Sequence, residues 1–368
     1  MSGPAAGTAG AATTIDVVCL GESMVTFLPS QPGRLADVPS FGRGIGGAES
    51  NVACALAAAG HRAAWVGRVG ADGFGDHLVE TIAGYGVDTS AVRRDPDRPT
   101  GIYFRTAADR GAGAHEVAYY RAGSAASAMS PDNAPYEELF AGRVLHLSGI
   151  TAALSADCLA LLRDLTALRP GRPLVSFDVN HRPHLWRGGE PDASVLLELA
   201  RRADLVFVGE DEAEEAWGIA GAEAVRAALP EPAVLVVKRG SAGATVFAAE
   251  EGGTPQADSV TGDSAPRADT VTVVPALRVD VVAAVGAGDA FAAGFLSATL
   301  RGLPVRDRVR HGHLMAAAVL TVPGDLTDPP ARDHADRLAS LDDDAWGRLR
   351  LGPGWTAADR APEEVRTP

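Results

Sequence analysis

The stretch VGAGDAFAAGFLSATL, residues 285–300, decides how the rest of the chain is read. It opens on a small-residue turn, Gly286-Ala287-Gly288, and sets a single carboxylate, Asp289, at the head of an apolar run. Phe291 and Phe295 are four residues apart, as are Leu296 and Leu300, which predicts a helix with one apolar stripe. The first N–H groups of a helix have no partner within it, and the helix dipole favours an anion there. Glycines at 286 and 288 let a ligand come close to those groups. The stretch therefore reads as an anion cradle with a base beside it. The plainer alternative is a glycine-rich loop before a core helix, with Asp289 as its cap, and the stretch alone favours that alternative.

Composition narrows the choice. The chain has 368 residues, 46% of them hydrophobic and 22% charged, enough for one large core. The net charge of −14 without a long basic run argues against a nucleic-acid partner, which needs a Lys/Arg surface to neutralise phosphates. Cys19, Cys54 and Cys158 are scattered through apolar segments and read as buried thiols of a reducing compartment, with neither metal spacing nor a disulfide framework. No apolar run reaches about 18 residues, so no membrane span is expected. Residues 1–13 lack a basic stretch, which argues against a secretory signal, and are expected to be a disordered tail. A cytoplasmic location follows as the expectation.

Strand-like and helix-like segments alternate along the chain. Strands are predicted at Ile15–Leu20, Ala63–Val69, Val144–Leu147, Leu174–Asp178, Leu205–Val208, Val234–Val237 and Ala244–Phe247. Helices are predicted at Glu49–Ala59, 76–84, 155–168, 191–202, 211–217 and 307–322. A second glycine-rich loop, Gly42-Arg43-Gly44-Ile45-Gly46-Gly47, leads into the first of these helices. Val25–Ser40 reads as a hairpin-like excursion, and Gly101–Arg105 with Glu116–Arg121 as an antiparallel hairpin joined by Ala107–Ala114. Residues 249–270 read as a polar loop, and the chain from about 326 onward as charged and partly irregular. The pattern implies an α/β fold, a mostly parallel sheet flanked by helices on both faces, with a separate small sheet. Ligands of such sheets bind beyond the carboxyl ends of the strands, where Asp178, Glu210, Lys238 and the 286–289 loop all fall.

The early Gly46-Gly47-Ala48-Glu49-Ser50-Asn51 segment, the late Gly286-Ala287-Gly288-Asp289 segment and the hairpin between them resemble the ribokinase-like, or PfkB, family of carbohydrate kinases. The resemblance spans roughly residues 15–325. It implies a kinase domain over 14–325, a β-sheet lid from about 24–45 and 100–124, and a C-terminal extension over 326–368. Within the family, Gly21-Glu22-Ser23-Met24, Tyr119–Ala125, Leu147–Ile150 and Asp178–Trp186 are most similar to the 2-keto-3-deoxygluconate kinase branch. By resemblance, Asp289 takes the proton from the attacked hydroxyl, and the backbone of Gly286, Ala287 and Gly288 forms the anion hole. Gly46, Gly47 and Asn51 contact the sugar. Lys238, Arg239 and Gly240, with Gly286 and Gly288, serve the nucleotide. ATP is the expected donor with Mg²⁺, and Glu212 matches an acidic residue that holds the metal through water. A helix-surface role for Glu212 is an equal alternative. The resemblance also suggests a homodimer paired through the lid.

The chemistry fits these residue types. Phosphoryl transfer depends on positioning and charge neutralisation more than on covalent help. Fixed N–H donors in a dry site, a carboxylate within reach of the hydroxyl and a lid that excludes water supply both. Many neutral-sugar members of the family carry Asp where this chain has Thr26. Arg121 and Arg182 instead offer guanidinium forks that match a carboxylate, with Tyr103 and Tyr119 beside them, so a sugar acid is the expected substrate. Each arginine alone could equally be a surface residue or half of a structural ion pair. His181, His184, His311 and His313 have no metal spacing and read as structural. Ala283 stands where the family usually has an Asp that orders the loop, which leaves monovalent-cation activation open. Gly209 stands where an Asn is usual. The rival expectations are a fructokinase-, ribokinase- or nucleoside-kinase-like enzyme, and a sugar-binding regulator without catalysis.

Overall fold

A computed structural model describes residues 14–106, 116–186, 192–249 and 269–357. The predicted tail 1–13, the hairpin connection 107–114 and most of the predicted loop 249–270 lie outside the described residues.

Alternation along the predicted strands builds a two-sided sheet. Within Ile15–Leu20, Val17 and Cys19 enter one core cluster, and Val18 and Leu20 enter the other. Phe207 and Val236 face the first cluster, while Val206, Val208, Leu235 and Val237 face the second. Strands buried on both faces are typical of a parallel sheet sandwiched by helices. Eight strands lie side by side in the order Asp269–Val274, Ala244–Ala249, Val234–Lys238, Leu205–Gly209, Leu174–Asp178, Gly142–Ser148, Ile15–Leu20 and Ala63–Val66. The six from Val234–Lys238 to Ala63–Val66 are parallel, and the two at the other edge are antiparallel.

The apolar stripe of the 285–300 stretch does what its spacing predicts. Helix Ala287–Leu300 packs Phe291 and Phe295 edge-on against Phe207 of the sheet, at ring distances of 6.4 and 5.4 Å. The helices Ala48–Ala58 and Val305–Leu320 pack on either side of it. The small residues of Ala48–Ala58 allow that close approach.

A second sheet of four strands, in the order Phe41–Gly46, Met24–Pro29, Ile102–Arg105 and Val117–Tyr120, forms the lid. Its outer pairs are antiparallel, and Met24–Pro29 runs parallel to Ile102–Arg105. Asp72, which reads from the sequence as a turn residue, caps the helix Gly73–Gly84 by accepting from the N–H groups of Phe74 and Gly75. Its other oxygen accepts from the backbone N–H of Thr100, which anchors the start of the lid hairpin.

Five sequence expectations need correction. The glycine-rich loop Gly42–Gly47 is for the most part the lid strand Phe41–Gly46, paired residue by residue with Met24–Pro29. The predicted strand Ala63–Val69 is two strands, Ala63–Val66 in the main sheet and Arg68–Gly70 paired with Arg93–Asp95. The break falls at Gly67, where a Cβ would stand 2.7 Å from the Trp65 indole and 2.9 Å from the Gly21 carbonyl. The predicted loop 249–270 gives way at Asp269 to an edge strand whose Thr/Val alternation leaves Val271 and Val273 exposed. Helix Ala222–Ala228 was not anticipated, because its short Ala-rich run carries little periodicity. The region after 326 holds helices Arg332–Ala339 and Asp343–Arg348, and Leu338, Trp346, Leu349 and Leu351 join the first core cluster.

Trp346 is fully buried, donates its indole N–H to the Pro275 carbonyl at 3.0 Å and lies under the Arg310 guanidinium at 4.6 Å. Trp346→Ala is expected to cost about 3–5 kcal/mol in a denaturant titration, the range for truncating a buried aromatic. A loss below about 1 kcal/mol would show that the C-terminal helices contribute little to the core.

Candidate active site

The carboxyl ends of the parallel strands, the two glycine turns and the underside of the lid enclose one cavity of about 340 Å³. Gly46, Gly47, Asn51, Tyr103, Tyr119, Arg121, Arg182, Glu212, Lys238, Gly286, Gly288 and Asp289 all line it. Arg239 and Gly240 do not, and Arg239 lies 3.6 Å from Glu210 instead. Thr26 is buried in the lid sheet and is also absent from the lining, so its identity does not by itself set the character of the pocket.

At one end stands the N-terminus of helix Ala287–Leu300. Gly286 takes φ +80°, a left-handed conformation that side-chain-bearing residues seldom adopt, and a Cβ on it would lie 2.6 Å from the Asp325 carbonyl oxygen. No side chain caps this helix end, which leaves its first N–H groups to a ligand. The Lys238 ammonium is the nearest group to Gly288, 3.7 Å from where a Cβ would be. Asp289 accepts a hydrogen bond from Asn51 Nδ2 at 2.9 Å. Burial, reinforced by the Asp178 carboxylate, pushes the Asp289 carboxyl up to about 7, against the pull of the Asn51 hydrogen bond and of Arg182 and Lys238. That value suits a group that must hold and release a proton near neutrality.

The floor of the cavity is a charge lattice. Lys238 Nζ donates to both oxygens of Asp178 at 3.0 Å. Burial works against the ammonium, but Asp178 and Glu212 outweigh it and hold its pKa above the usual lysine value. Glu212 accepts from the Gly209 N–H at 2.7 Å, so it closes the N-terminus of helix Glu210–Trp217 as well as facing the cavity. Burial raises its pKa, with Lys238 opposing.

At the other end Arg121 pairs with the buried carboxylate of Glu22, which also accepts from Ser124 Oγ at 2.5 Å. The Arg121 Nε is buried with no hydrogen-bond partner among the described residues. Arg182 is half-exposed, donates to its neighbour His181's carbonyl at 3.0 Å and stands 3.6 Å from Glu212. Arg182 is thus the cavity cation least committed to a protein carboxylate. The Tyr103 and Tyr119 rings meet on the lid at 5.4 Å with a 32° tilt, and His184 lies flat on Tyr119 at 4.9 Å.

Several lining residues drew no binding or catalytic role from the sequence, although Asn180 after its strand reads there as shaping the site. Glu22 lies inside a stretch that carried the family resemblance but drew no role. His184, read as structural, reaches the cavity through its stack on Tyr119. Asn180 takes φ +43°, and its buried Oδ1 has no partner among the described residues. A strained backbone with an unpartnered acceptor suits a position held for a ligand. Asp325 lies in the segment between Val305–Leu320 and Arg332–Ala339, and nothing in its local sequence marks it. Its carboxylate pairs with Arg105 at 2.5 Å and accepts from the Tyr103 hydroxyl at 3.3 Å. Burial raises its pKa, with Arg105 and Tyr103 opposing.

Known proteins resemble this chain over most of its length. The model of the pfkB family carbohydrate kinases matches residues 14–332. A 2-dehydro-3-deoxygluconokinase of Bacillus subtilis (strain 168) is 34% identical, with 89% of this chain and 95% of that protein covered. A 2-dehydro-3-deoxygluconokinase of Thermoproteus tenax is 33% identical, with 88% and 94% covered. Among solved structures, a PfkB protein from Polaromonas sp. JS666 superposes with a TM-score of 0.73 at 32% identity, covering 88% of this chain and 99% of that one. With the family model matched over most of its length and a mostly parallel sheet carrying a β lid, this chain belongs to the pfkB family of carbohydrate kinases.

Proposed function

We propose that this kinase transfers the γ-phosphoryl group of ATP to a hydroxyl of a sugar acid, 2-keto-3-deoxygluconate (also named 2-dehydro-3-deoxygluconate), giving the 6-phosphate. The observation that carries the reading is one cavity with Asp289 and an uncapped helix N-terminus at one end and Arg121 and Arg182 at the other. Two relatives bearing the name 2-dehydro-3-deoxygluconokinase support the choice of acid.

Each group has a distinct task in this reading. Asp289 accepts the proton of the attacked hydroxyl, and Asn51 holds the carboxylate in the rotamer that reaches it. The N–H groups at 286–288 and the adjacent Lys238 ammonium stabilise charge on the transferring phosphoryl oxygens. Arg182 and the unpartnered Nε of Arg121 take the sugar carboxylate, Glu22 fixing the Arg121 fork in place. Tyr103 and Tyr119 cover the carbon chain and keep water out.

The residues also fit a magnesium ion held through water. Asp178 is engaged by Lys238 and one Glu212 oxygen by Gly209, so no cluster of three free carboxylates invites direct coordination among the described residues. The second oxygen of Glu212 would receive a metal-bound water, in keeping with the preference of Mg²⁺ for retained waters and phosphate oxygens. The ion would supply charge neutralisation on the ATP phosphates.

An ATP-coupled assay over sugar acids, ketoses and nucleosides tests the reading, with turnover on keto-deoxy acids expected and turnover on ketoses alone overturning it. Asp289→Asn is expected to lower kcat by about 100- to 10,000-fold while sugar binding survives. Near-normal turnover of that variant would remove Asp289 as the base. Because the base acts ionised and its pKa lies at about 7, kcat/KM should fall about tenfold per pH unit below that point. Asn51 stabilises the ionised form, so Asn51→Leu should move this acidic limb to higher pH. A limb that stays put, or moves to lower pH, would break the assignment.

A further inference from the structure

Two strands of the lid and the late glycine turn converge on Asp325. From the lid, Tyr103 and Arg105 are two residues apart on the strand Ile102–Arg105, so they point to the same side, and both reach the Asp325 carboxylate. The Arg105 and Asp325 side chains are each 5% exposed. From the end of the lid strand Phe41–Gly46, Gly46 packs so tightly that a Cβ would stand 2.3 Å from the Tyr103 hydroxyl and 3.1 Å from Asp325 Oδ2. From the late glycine turn, Gly286 packs against the Asp325 backbone, with its would-be Cβ 2.6 Å from the carbonyl oxygen. The end of helix Val305–Leu320 holds the chain just ahead of the turn, since the Leu320 carbonyl accepts from the N–H of Val282 at 2.7 Å.

We propose that Arg105 is a positioning residue that acts through Asp325, locking the lid to the turn that presents the anion hole. The lock keeps the lid and the phosphoryl-transfer end in register, so that the acceptor hydroxyl and not water meets the γ-phosphorus. Buried ion pairs stabilise little beyond their desolvation cost, but they fix one arrangement, and removal of one partner leaves the other charge buried and unpaired, so that the arrangement is lost. Without the lock, a water oxygen bonds to the γ-phosphorus as the bond to the β–γ bridging oxygen breaks. Water's proton is lost, and the products are ADP and inorganic phosphate.

The inference rests on the kinase reading above but not on the choice of sugar acid. It is tested by measuring ADP and sugar phosphate together, with whichever acceptor the wild-type protein phosphorylates best. Absence of any sugar phosphate from the wild type would fail the kinase reading itself, whereas the lock is read from the ratio of the two products. That ratio should be close to one for the wild type. Arg105→Ala should raise it at least twofold while sugar phosphate formation falls about tenfold or more, and Arg105→Lys should restore most of the coupling. Asp325→Asn should behave like Arg105→Ala, and the double variant should be no worse than either single one, the mark of two residues acting as one unit. Melting temperatures identify any variant that fails to fold. Arg105→Lys and Asp325→Asn, which keep side-chain volume, then carry the test. A ratio that stays at one while the rate drops, or single effects that multiply in the double variant, would overturn the proposal.

Discussion

The hydrogen bond from Asn51 to Asp289 joins two helix starts that lie 238 residues apart in the chain. It forms only if helices Ala48–Ala58 and Ala287–Leu300 pack at a fixed offset, and the rest of the architecture serves that requirement. The small residues of the first helix and the Phe291/Phe295 stripe of the second let them lie against each other and against Phe207 of the sheet. The parallel strands bring both helix starts to the same end of the sheet. Burial, with the Asp178 carboxylate nearby, then raises the proton affinity of the Asp289 carboxyl to near neutrality, and the Asn51 amide tempers the rise.

Charge pairing is the second constraint. The cavity is lined by the carboxylates of Glu22, Asp178, Glu212, Asp289 and Asp325, in a protein that is strongly acidic overall. Glu22 pairs with Arg121, Asp178 with Lys238 and Asp325 with Arg105. Pairing spares each buried charge the full desolvation cost and fixes the rotamers around the ligand. It leaves Arg182 and the N-terminus of helix Ala287–Leu300 as the positive groups of the cavity least committed to protein carboxylates.

Much of the fold was legible because buried parallel strands and a stripe of period 3.6 leave local marks. The late glycine turn and Asp289 stood out because a small-residue turn before an apolar helix leaves a local mark, whereas Asn51 and the arginines were singled out through the family resemblance and its motifs, and all of them line the one cavity. Asp325 was not legible, because its role comes from partners 220 and 222 residues away, Arg105 and Tyr103. The Arg121–Glu22 pair was hidden for the same reason, though Glu22 stood inside a quoted motif. The C-terminal helices escaped because charged residues dominate Arg332–Ala339 and Asp343–Arg348, and their few apolar residues are recognised as core only once the sheet and Pro275 are in place to receive them.

The central claim is that one cavity binds a sugar carboxylate at its arginine end and transfers phosphoryl at its Asp289 end. The most direct measurement compares kcat/KM for 2-keto-3-deoxygluconate with that for its neutral C1 alcohol, 3-deoxyfructose, in the wild type and in Arg182→Ala. The account predicts that the wild type prefers the acid by on the order of 100-fold or more, because the neutral analogue leaves polar groups of the site unpaired, and that Arg182→Ala loses most of that preference. A wild-type preference within about threefold, or a large one untouched by Arg182→Ala, would contradict it.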